Sequence, residues 1–417
     1  MRRKRYGFMS VRQNYVTVSA TQQRLSGVTR KRDTNGRLVN RLLHERAICR
    51  QHLETARLPW PSAGNPMIHD FGNVPPMSFY SDLPDRCFWR RCLRRPRFDF
   101  AEIYRPAVTI TAGEPIATAG SCFAQKIGRE LKRSDARFLD LEPAPPGMSE
   151  ATGIGFGYGL YSARYGNIYT TAQLLQLAED AFSDHVREDA LWTKDGAWFD
   201  GLRPRIEPGG FARRADVVTA RRSHLRQVRR LFTEASVFVF TLGLTERWEH
   251  AETGTVYQLC PATVDPAFGA PEHRFHNTGV SEVVSELTRF IALVRAHAPD
   301  LRFLFTVSPV PLAATATGDH VLPATIRSKS VLRAAVDEVV TALPGCDYFP
   351  AYEIATANPL LRDAFDASQR EVKDEVVTEI MTTFFAAHPG LSRTLPEVAA
   401  EELDAVCDEI LLDASRI

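Results

Sequence analysis

The sequence lacks any run of about 18 apolar residues, so no transmembrane helix is expected. Only seven of its 417 residues are cysteine, an odd number with no C-x-x-C spacing. That usage predicts neither a disulfide framework nor a zinc site, and it is typical of a reducing compartment. No N-terminal stretch combines signal-peptide length, apolarity and a small-residue cleavage site, so we expect a cytoplasmic protein.

Net charge is also nearly absent, at +1, but the charges are unevenly distributed along the chain. Residues 1–66 hold 14 of the 51 basic residues and only 3 of the 50 acidic ones. The remainder is acidic, which argues against a nucleic-acid-binding core because phosphate binding requires a positive field. The basic head has no helical periodicity and predicts a disordered segment. A membrane or nucleic-acid tether is the alternative.

Short apolar runs alternate with helical patterns through the rest of the chain. The strands are predicted at residues 115–119, 136–141, 236–242, 301–307 and 346–349. The helices are predicted at about residues 123–133, 281–297, 328–343 and 373–387. This alternation predicts an α/β fold with a doubly wound parallel five-stranded sheet, right-handed crossovers and helices on both faces.

The domain organisation follows from changes in composition. We predict a basic head at residues 1–66, one domain at residues 67–390 and a C-terminal helix within residues 391–417. A proline-rich passage over residues 60–84 separates the head from the domain. The stretch at about residues 179–222 interrupts the alternation with two tryptophans and a Pro-Gly-Gly turn, and it predicts an inserted lid or subdomain.

Polar residues follow three of the predicted strands, where ligands collect in open parallel sheets. Ser121, in the run GSCFA at residues 120–124, is a candidate nucleophile because a helix begins just after it and supplies backbone N–H groups. The alternative is a simple helix N-cap. Thr245 and Glu246 offer polar groups after the third strand, or they cap a following helix. His320 lies in the loop after the fourth strand, where a surface position is the simpler interpretation.

Taken together, these runs resemble the GSCFA family, which is named for the pentapeptide at residues 120–124. The other matching runs are, in order, FYSDLP (79–84), YGNIYT (165–170), LGLTE (242–246), SPV (308–310), SKS (328–330) and YFPAYEI (348–354). The match covers roughly residues 76–388. The family is similar to the SGNH/GDSL hydrolases. The resemblance therefore implies a flavodoxin-like sheet and a serine esterase or O-acyltransferase acting on acyl esters, including those of carbohydrates.

The resemblance also implies roles for individual residues. Ser121 takes the place of the nucleophile, and Gly166 that of the oxyanion-hole glycine, with Asn167 beside it. The backbone N–H groups of Ser121 and Gly166 are the expected oxyanion donors. Thr245 stands where the related enzymes carry an oxyanion-binding asparagine, and its hydroxyl is shorter than an amide.

The base is the main departure from the family pattern. The related enzymes place Asp-x-x-His before the final helix, whereas residues 365–372 contain no histidine and put Glu371 near that position. Glu371 can act as a base only if burial raises its pKa, because a base works best with a pKa near the operating pH. His320 and His276 are the other candidates. If no base is competent, the chain is a non-catalytic module that binds a glycan or acyl ligand.

No cofactor or metal is predicted. The glycine-rich run at residues 153–159 does not join a strand to a helix as a nucleotide-binding loop does. His250, His273 and His276 lack the spacing of metal ligands. The expected partner is a small-molecule or glycan ester, and the sequence predicts no oligomeric state.

Overall fold

The computed structural model describes residues 80–92, 100–269, 272–357, 363–392 and 407–409. The chain divides into two compact units, Met1–Leu83 and Pro84–Ile417. Only residues 80–83 of the first unit are described, and they form a turn. The predicted head at residues 1–66 lies outside the described residues. All the other described residues belong to the second unit.

The described part of the second unit contains ten strands. In chain order they are β1 (Pro115–Gly120), β2 (Arg137–Phe138), β3 (Leu191–Lys194), β4 (Ala197–Asp200), β5 (Val237–Leu242), β6 (Glu246–His250), β7 (Val256–Tyr257), β8 (His273–Asn277), β9 (Arg302–Val307) and β10 (Cys346–Tyr348).

Five of these strands form one parallel sheet in the order β10-β9-β5-β1-β2. Counted along the chain, this is the flavodoxin-like order 2-1-3-4-5. The chain leaves β1 towards β2 at one edge and returns on the other side of β1 as β5. That reversal opens a crevice beyond the carboxyl ends of β1 and β5, which is where ligands bind in such sheets. The predicted fold class is confirmed.

Helices cover both faces of the sheet. They are α1 (Trp89–Cys92), α2 (Cys122–Lys132), α3 (Glu150–Gly155), α4 (Thr171–Ser183), α5 (Arg214–Glu234), α6 (Pro261–Val264), α7 (Val280–Arg295), α8 (Val321–Ala342), α9 (Ala351–Thr356) and α10 (Asp374–Ala387). Short 3-10 turns occur at Asp85–Cys87, Phe100–Glu102, Glu188–Ala190 and Pro266–Phe268. None of the helices in the described ranges is long and apolar enough to span a membrane.

The apolar runs of the central strands are buried on both sides because alternate residues face opposite helical layers. Phe238 and Phe240 of β5 pack in one cluster with α4, α5, α7 and α8. Val237 and Val239 of the same strand join Leu304 of β9 in a second cluster with α2, α9 and α10. This two-sided burial explains why the strands are almost continuously apolar in sequence.

The predicted elements differ from the structure mainly at their ends. The second strand, predicted at residues 136–141, is only two residues long. The helix predicted at residues 328–343 begins earlier, at Val321, because the His320 side chain accepts a capping hydrogen bond from the Leu322 N–H. The predicted C-terminal helix lies largely outside the described residues, and residues 407–409 form a turn.

Two smaller sheets are inserted into this frame. Strands β3 and β4 form an antiparallel hairpin inside the insertion predicted at residues 179–222. Strands β7, β6 and β8 form an antiparallel sheet directly after β5, where the sequence pattern also allowed a turn into a helix. The second sheet matters for the site because Gln258, one residue beyond β7, reaches the crevice.

A buried histidine predicts how the fold responds to acid. His388 follows α10 and has no exposed surface; its Nδ1 accepts the Ile110 N–H at 3.3 Å, and its ring packs 4.6 Å from that of Phe384. Burial lowers the pKa of His388 from 6.5 to about 4. Between those values the unfolded chain binds a proton that the folded chain does not, so stability falls as the pH drops from 6.5 to 4.

We expect His388 to account for up to about 3 kcal/mol of the loss in unfolding free energy between pH 6.5 and 4. Urea denaturation across this range should show a shallower pH slope for H388Q than for the native chain. H185Q replaces an exposed histidine and serves as the control. Equal slopes in H388Q and the native chain would show that His388 does not carry the effect.

Candidate active site

Gly120 ends β1 and makes the turn that presents the next residue to the crevice. Its φ is +143°, and a Cβ here would lie 2.5 Å from the carbonyl oxygen of Thr241 in β5, so only glycine fits. The Ser121 N–H donates to the same Thr241 oxygen at 3.1 Å. Sheet pairing therefore fixes Ser121 at the carboxyl edge. The N–H that the resemblance assigned to an oxyanion hole is thus engaged by the sheet in this structure.

The Ser121 side chain is not used as a helix cap. Ser121 occupies the N-cap position of α2, but its hydroxyl makes no capping hydrogen bond, whereas Ser149 and Thr170 do cap their helices. Ser121 is 3% exposed, and its Oγ has no hydrogen-bond partner among the described residues. An unpaired buried hydroxyl costs about 1–3 kcal/mol, which a structural cap would not incur. The hydroxyl is therefore a candidate for chemistry.

Lys329 of α8 reaches the same turn. It is buried, and its Nζ donates to the Gly243 carbonyl oxygen at 2.6 Å. Gly243 packs so closely on Ser121 that a Cβ on the glycine would lie 3.0 Å from the Ser121 Cβ. Burial lowers the pKa of Lys329 to about 8, although the nearby Glu409 carboxylate opposes the shift. A sizeable neutral fraction of this amine is therefore present near pH 8.

Ser121 and Lys329 line one small cavity of about 10 Å³. That is close to the minimum space that a single water molecule needs. Glu409, Tyr169 and Ser308 contribute to the same wall. The residues after β1, β5 and β9 thus meet at one point of the sheet edge, as the topology predicts.

The three bases predicted from the sequence lie elsewhere. Glu371 is partly exposed, with a carboxylate oxygen 3.9 Å from the Lys126 Nζ. His320 is an exposed helix cap. His276 lies in β8, where its Nε2 is 2.9 Å from the Glu282 carboxylate. The structure does not bring any of the three into the cavity wall that contains Ser121.

Two predicted binding residues are engaged in local contacts. The Thr245 hydroxyl donates to Asn277 Oδ1 at 2.8 Å, and its N–H donates to the Ser328 hydroxyl at 3.0 Å. Glu246 accepts hydrogen bonds from the Thr315 hydroxyl at 2.6 Å and from a backbone N–H, and it lines a neighbouring cavity of about 200 Å³. Thr245 therefore positions the loop after β5, and Glu246 faces the larger cavity.

Asn167 is oriented towards the crevice by its neighbours. Its Oδ1 accepts from Gln125 Nε2 at 3.0 Å and from the Tyr161 hydroxyl. The Tyr161 oxygen is also 3.1 Å from the Ser121 carbonyl oxygen, so Asn167 lies close to the serine. Because its oxygen accepts these two hydrogen bonds, the Asn167 side chain directs its Nδ2 donor towards the cavity that it lines together with Asp408.

The side-chain amides of Asn167 and Gln258 donate to the same carboxylate oxygen. Asn167 Nδ2 donates to Asp408 Oδ2 at 2.5 Å, and Gln258 Nε2 donates to that same oxygen. Gly166, with φ +70°, lies beside Gln258, since a Cβ on Gly166 would be 3.3 Å from the Gln258 Nε2. Two side-chain amide donors therefore converge on one carboxylate oxygen.

Sequence reasoning missed Lys329, Gln258, Asp408 and Glu409 as site residues. Lys329 lies in the SKS run at residues 328–330, which matches the family pattern and was the one available signal. The other three carry no motif and reach the site only through the inserted sheet and the C-terminal segment. Within the described ranges, no group of three or more His, Cys, Asp or Glu side chains is placed to hold a metal ion.

This fold and site define an α/β protein with a flavodoxin-like sheet and a buried serine at its topological switch point. The chain belongs to the GSCFA family, whose model matches residues 115–384, and the resemblance seen in the sequence is confirmed. No curated protein matches the chain. Among solved structures it is similar to a carbohydrate esterase family 2 enzyme with a carbohydrate-binding domain from Corynascus thermopiles (Myceliophthora fergusii). The two are 12% identical over 67% of this chain and 68% of that chain, with a TM-score of 0.25.

Proposed function

We propose that this protein is a serine-dependent esterase or O-acyltransferase acting on acyl esters, with Ser121 as the nucleophile. One observation carries the proposal. A buried hydroxyl with no hydrogen-bond partner among the described residues shares a cavity with a buried lysine at the switch point of the sheet. A serine hydroxyl becomes a useful nucleophile only when a neighbouring base takes its proton.

Lys329 is the base in this proposal. A neutral amine keeps two N–H donors and one lone pair, so Nζ can remain bonded to the Gly243 carbonyl while accepting the Ser121 proton. The Ser121 oxygen then attacks the ester carbonyl carbon, and the carbonyl electron pair moves onto its oxygen. The amide N–H groups of Asn167 and Gln258 stabilise that oxyanion.

Collapse of the tetrahedral intermediate breaks the ester C–O bond. The departing alkoxide takes the proton from the Lys329 ammonium and leaves as an alcohol. Water, or the hydroxyl of an acceptor, then gives its proton to Lys329 and attacks the acyl-serine. Release of the acid or the new ester restores the Ser121 hydroxyl. Hydrolase and transferase differ only in this second nucleophile.

The neighbouring cavity of about 200 Å³ favours a carbohydrate ester as substrate. Trp248 and Tyr169 offer aromatic surface in its wall, and Glu246 and Arg247 offer charged groups. Aromatic faces beside a few polar groups suit a sugar ring, whose faces are apolar and whose edges carry hydroxyls. The rival is a non-catalytic glycan- or acyl-binding module, which gives no reason for an unpaired serine hydroxyl beside a buried amine.

Intact-mass analysis after treatment with an alkyl fluorophosphonate tests the proposal. We expect one adduct on the 417-residue chain, none on S121A, and an adduct on S308A. Ser308 is the matched control because it lines the same cavity with its Oγ bonded to the Val310 N–H at 3.3 Å. Labelling that persists in S121A, or a chain that neither labels nor hydrolyses aryl acetates, would count against Ser121 as a nucleophile.

A further inference from the structure

The C-terminal segment of residues 407–409 lies in the crevice although it is outside the residues that the family model matches. All three of its side chains are buried. The Cys407 side chain packs in the same buried cluster as Cys122, the residue directly after Ser121. The segment is therefore anchored next to the nucleophile.

Asp408 occupies the two-amide arrangement. Its Oδ2 accepts from Asn167 and Gln258, and its Oδ1 accepts from the Arg205 Nη1 at 2.8 Å. Hydrogen bonds to a carboxylate are stronger than those between neutral groups, so this contact holds the segment firmly. The Oδ2 atom is thus the acceptor on which the two proposed oxyanion donors converge.

Glu409 lines the cavity that contains the proposed base, and its charge acts on Lys329. Its carboxylate accepts from the Arg370 Nη2 at 3.2 Å, and it lines the cavity of Ser121 and Lys329. The charges are complementary, because two acidic side chains face Arg205, Arg370 and Lys329.

The segment also divides the crevice. Glu409 lines both the cavity of Ser121 and the neighbouring cavity of about 200 Å³. Asp408 lines a third cavity of about 260 Å³, which shares Gln258 with the second. The two acidic side chains thus form part of the walls of all three cavities.

We propose that residues 407–409 are an intramolecular inhibitor of the chain's own cleft, with the Asp408 carboxylate in the oxyanion subsite. The inference rests on the proposed function and adds a way in which that activity is regulated. Because the segment is tethered, its effective concentration at the cleft is on the order of millimolar, so a contact whose dissociation constant lies well below that value keeps the site largely closed. Substrate reaches Ser121 only when the segment is displaced.

The test uses variants of the whole 417-residue chain. We expect D408N/E409Q to react with the fluorophosphonate at Ser121 at least about tenfold faster than the native chain, because the amides weaken the contacts with Arg205 and Arg370. D337N is the matched control, since it alters an exposed carboxylate bonded to Arg333 on α8. An unchanged rate in a folded D408N/E409Q chain overturns the proposal.

A synthetic peptide of residues 403–413 separates this inference from the proposed function. Fluorescence anisotropy should show that the native peptide binds the D408N/E409Q chain at least about tenfold more tightly than a peptide carrying the same two substitutions. This preference supports the occupancy of the cleft even if no chain labels at Ser121, in which case only the hydrolase proposal fails. Equal binding of the two peptides overturns the inference whatever the labelling shows.

Discussion

Replacement of Lys329 by methionine is expected to lower kcat/KM for aryl acetate hydrolysis by a factor of about 10³, within the range that general-base catalysis supplies. The native chain should lose activity about tenfold per pH unit below pH 8, because the base works only when neutral and its pKa is about 8. K329M should not show this loss of activity below pH 8. The measurement is kcat/KM between pH 6 and 9.5, with circular dichroism to confirm folding.

Two other substitutions make the comparison specific. K126M removes a lysine of α2 whose Nζ donates to the Val372 carbonyl at 2.7 Å. We expect this variant to lose activity below pH 8 as the native chain does. E371Q removes the base that the family pattern suggested, and it should also lose activity below pH 8 as the native chain does. A decrease in kcat/KM in E371Q as large as that in K329M would show that Lys329 is not the base. Retention of the native loss of activity below pH 8 in K329M would show the same.

Replacement of Asn167 by alanine is the second large effect that we expect. If Asn167 Nδ2 stabilises the oxyanion, kcat should fall by about 10²–10³ while KM changes little, because the interaction strengthens only in the transition state. Asn167 also holds Asp408, so the comparison is made in the D408N/E409Q background, where the C-terminal contact is weakened throughout.

T245V is the control for the oxyanion assignment. Thr245 stands at the family's asparagine position, but its hydroxyl donates to Asn277. We expect T245V to retain most of the kcat, since the hydroxyl is engaged with Asn277 and supports the loop after β5. The measurement is the steady-state kcat of T245V and N167A for hydrolysis of an aryl acetate. A larger kcat loss in T245V than in N167A would move the oxyanion site to the loop after β5.

The sequence predicted the sheet well because each strand carries its own local signal. The runs ending at Gly120, Leu242 and Val307 are apolar and β-prone, and two-sided burial requires that composition. The shorter strand β2 was overestimated, since only two of its residues pair with β1. The sheet of β6, β7 and β8 went unpredicted. Its strands are short and mixed in polarity, and they are stabilised by one another.

Ser121 was predictable for the same local reason. A strand, a glycine and a helix start are all visible within a few residues, and together they fix the serine at the sheet edge. The proposed base was not predictable from spacing. The family pattern put Glu371 at the usual position, whereas Lys329 lines the cavity that contains Ser121 and the Glu371 carboxylate lies 3.9 Å from Lys126.

By itself, the sequence determined the doubly wound sheet, the switch point and the place of Ser121, because hydrophobic periodicity and turn glycines act over a few residues. Only the tertiary structure decided what surrounds the serine. Asn167 and Asp408 meet across 241 residues of chain, and Gln258 and Asp408 across 150. Such contacts leave no local pattern, since each depends on the packing of several elements that must first fold.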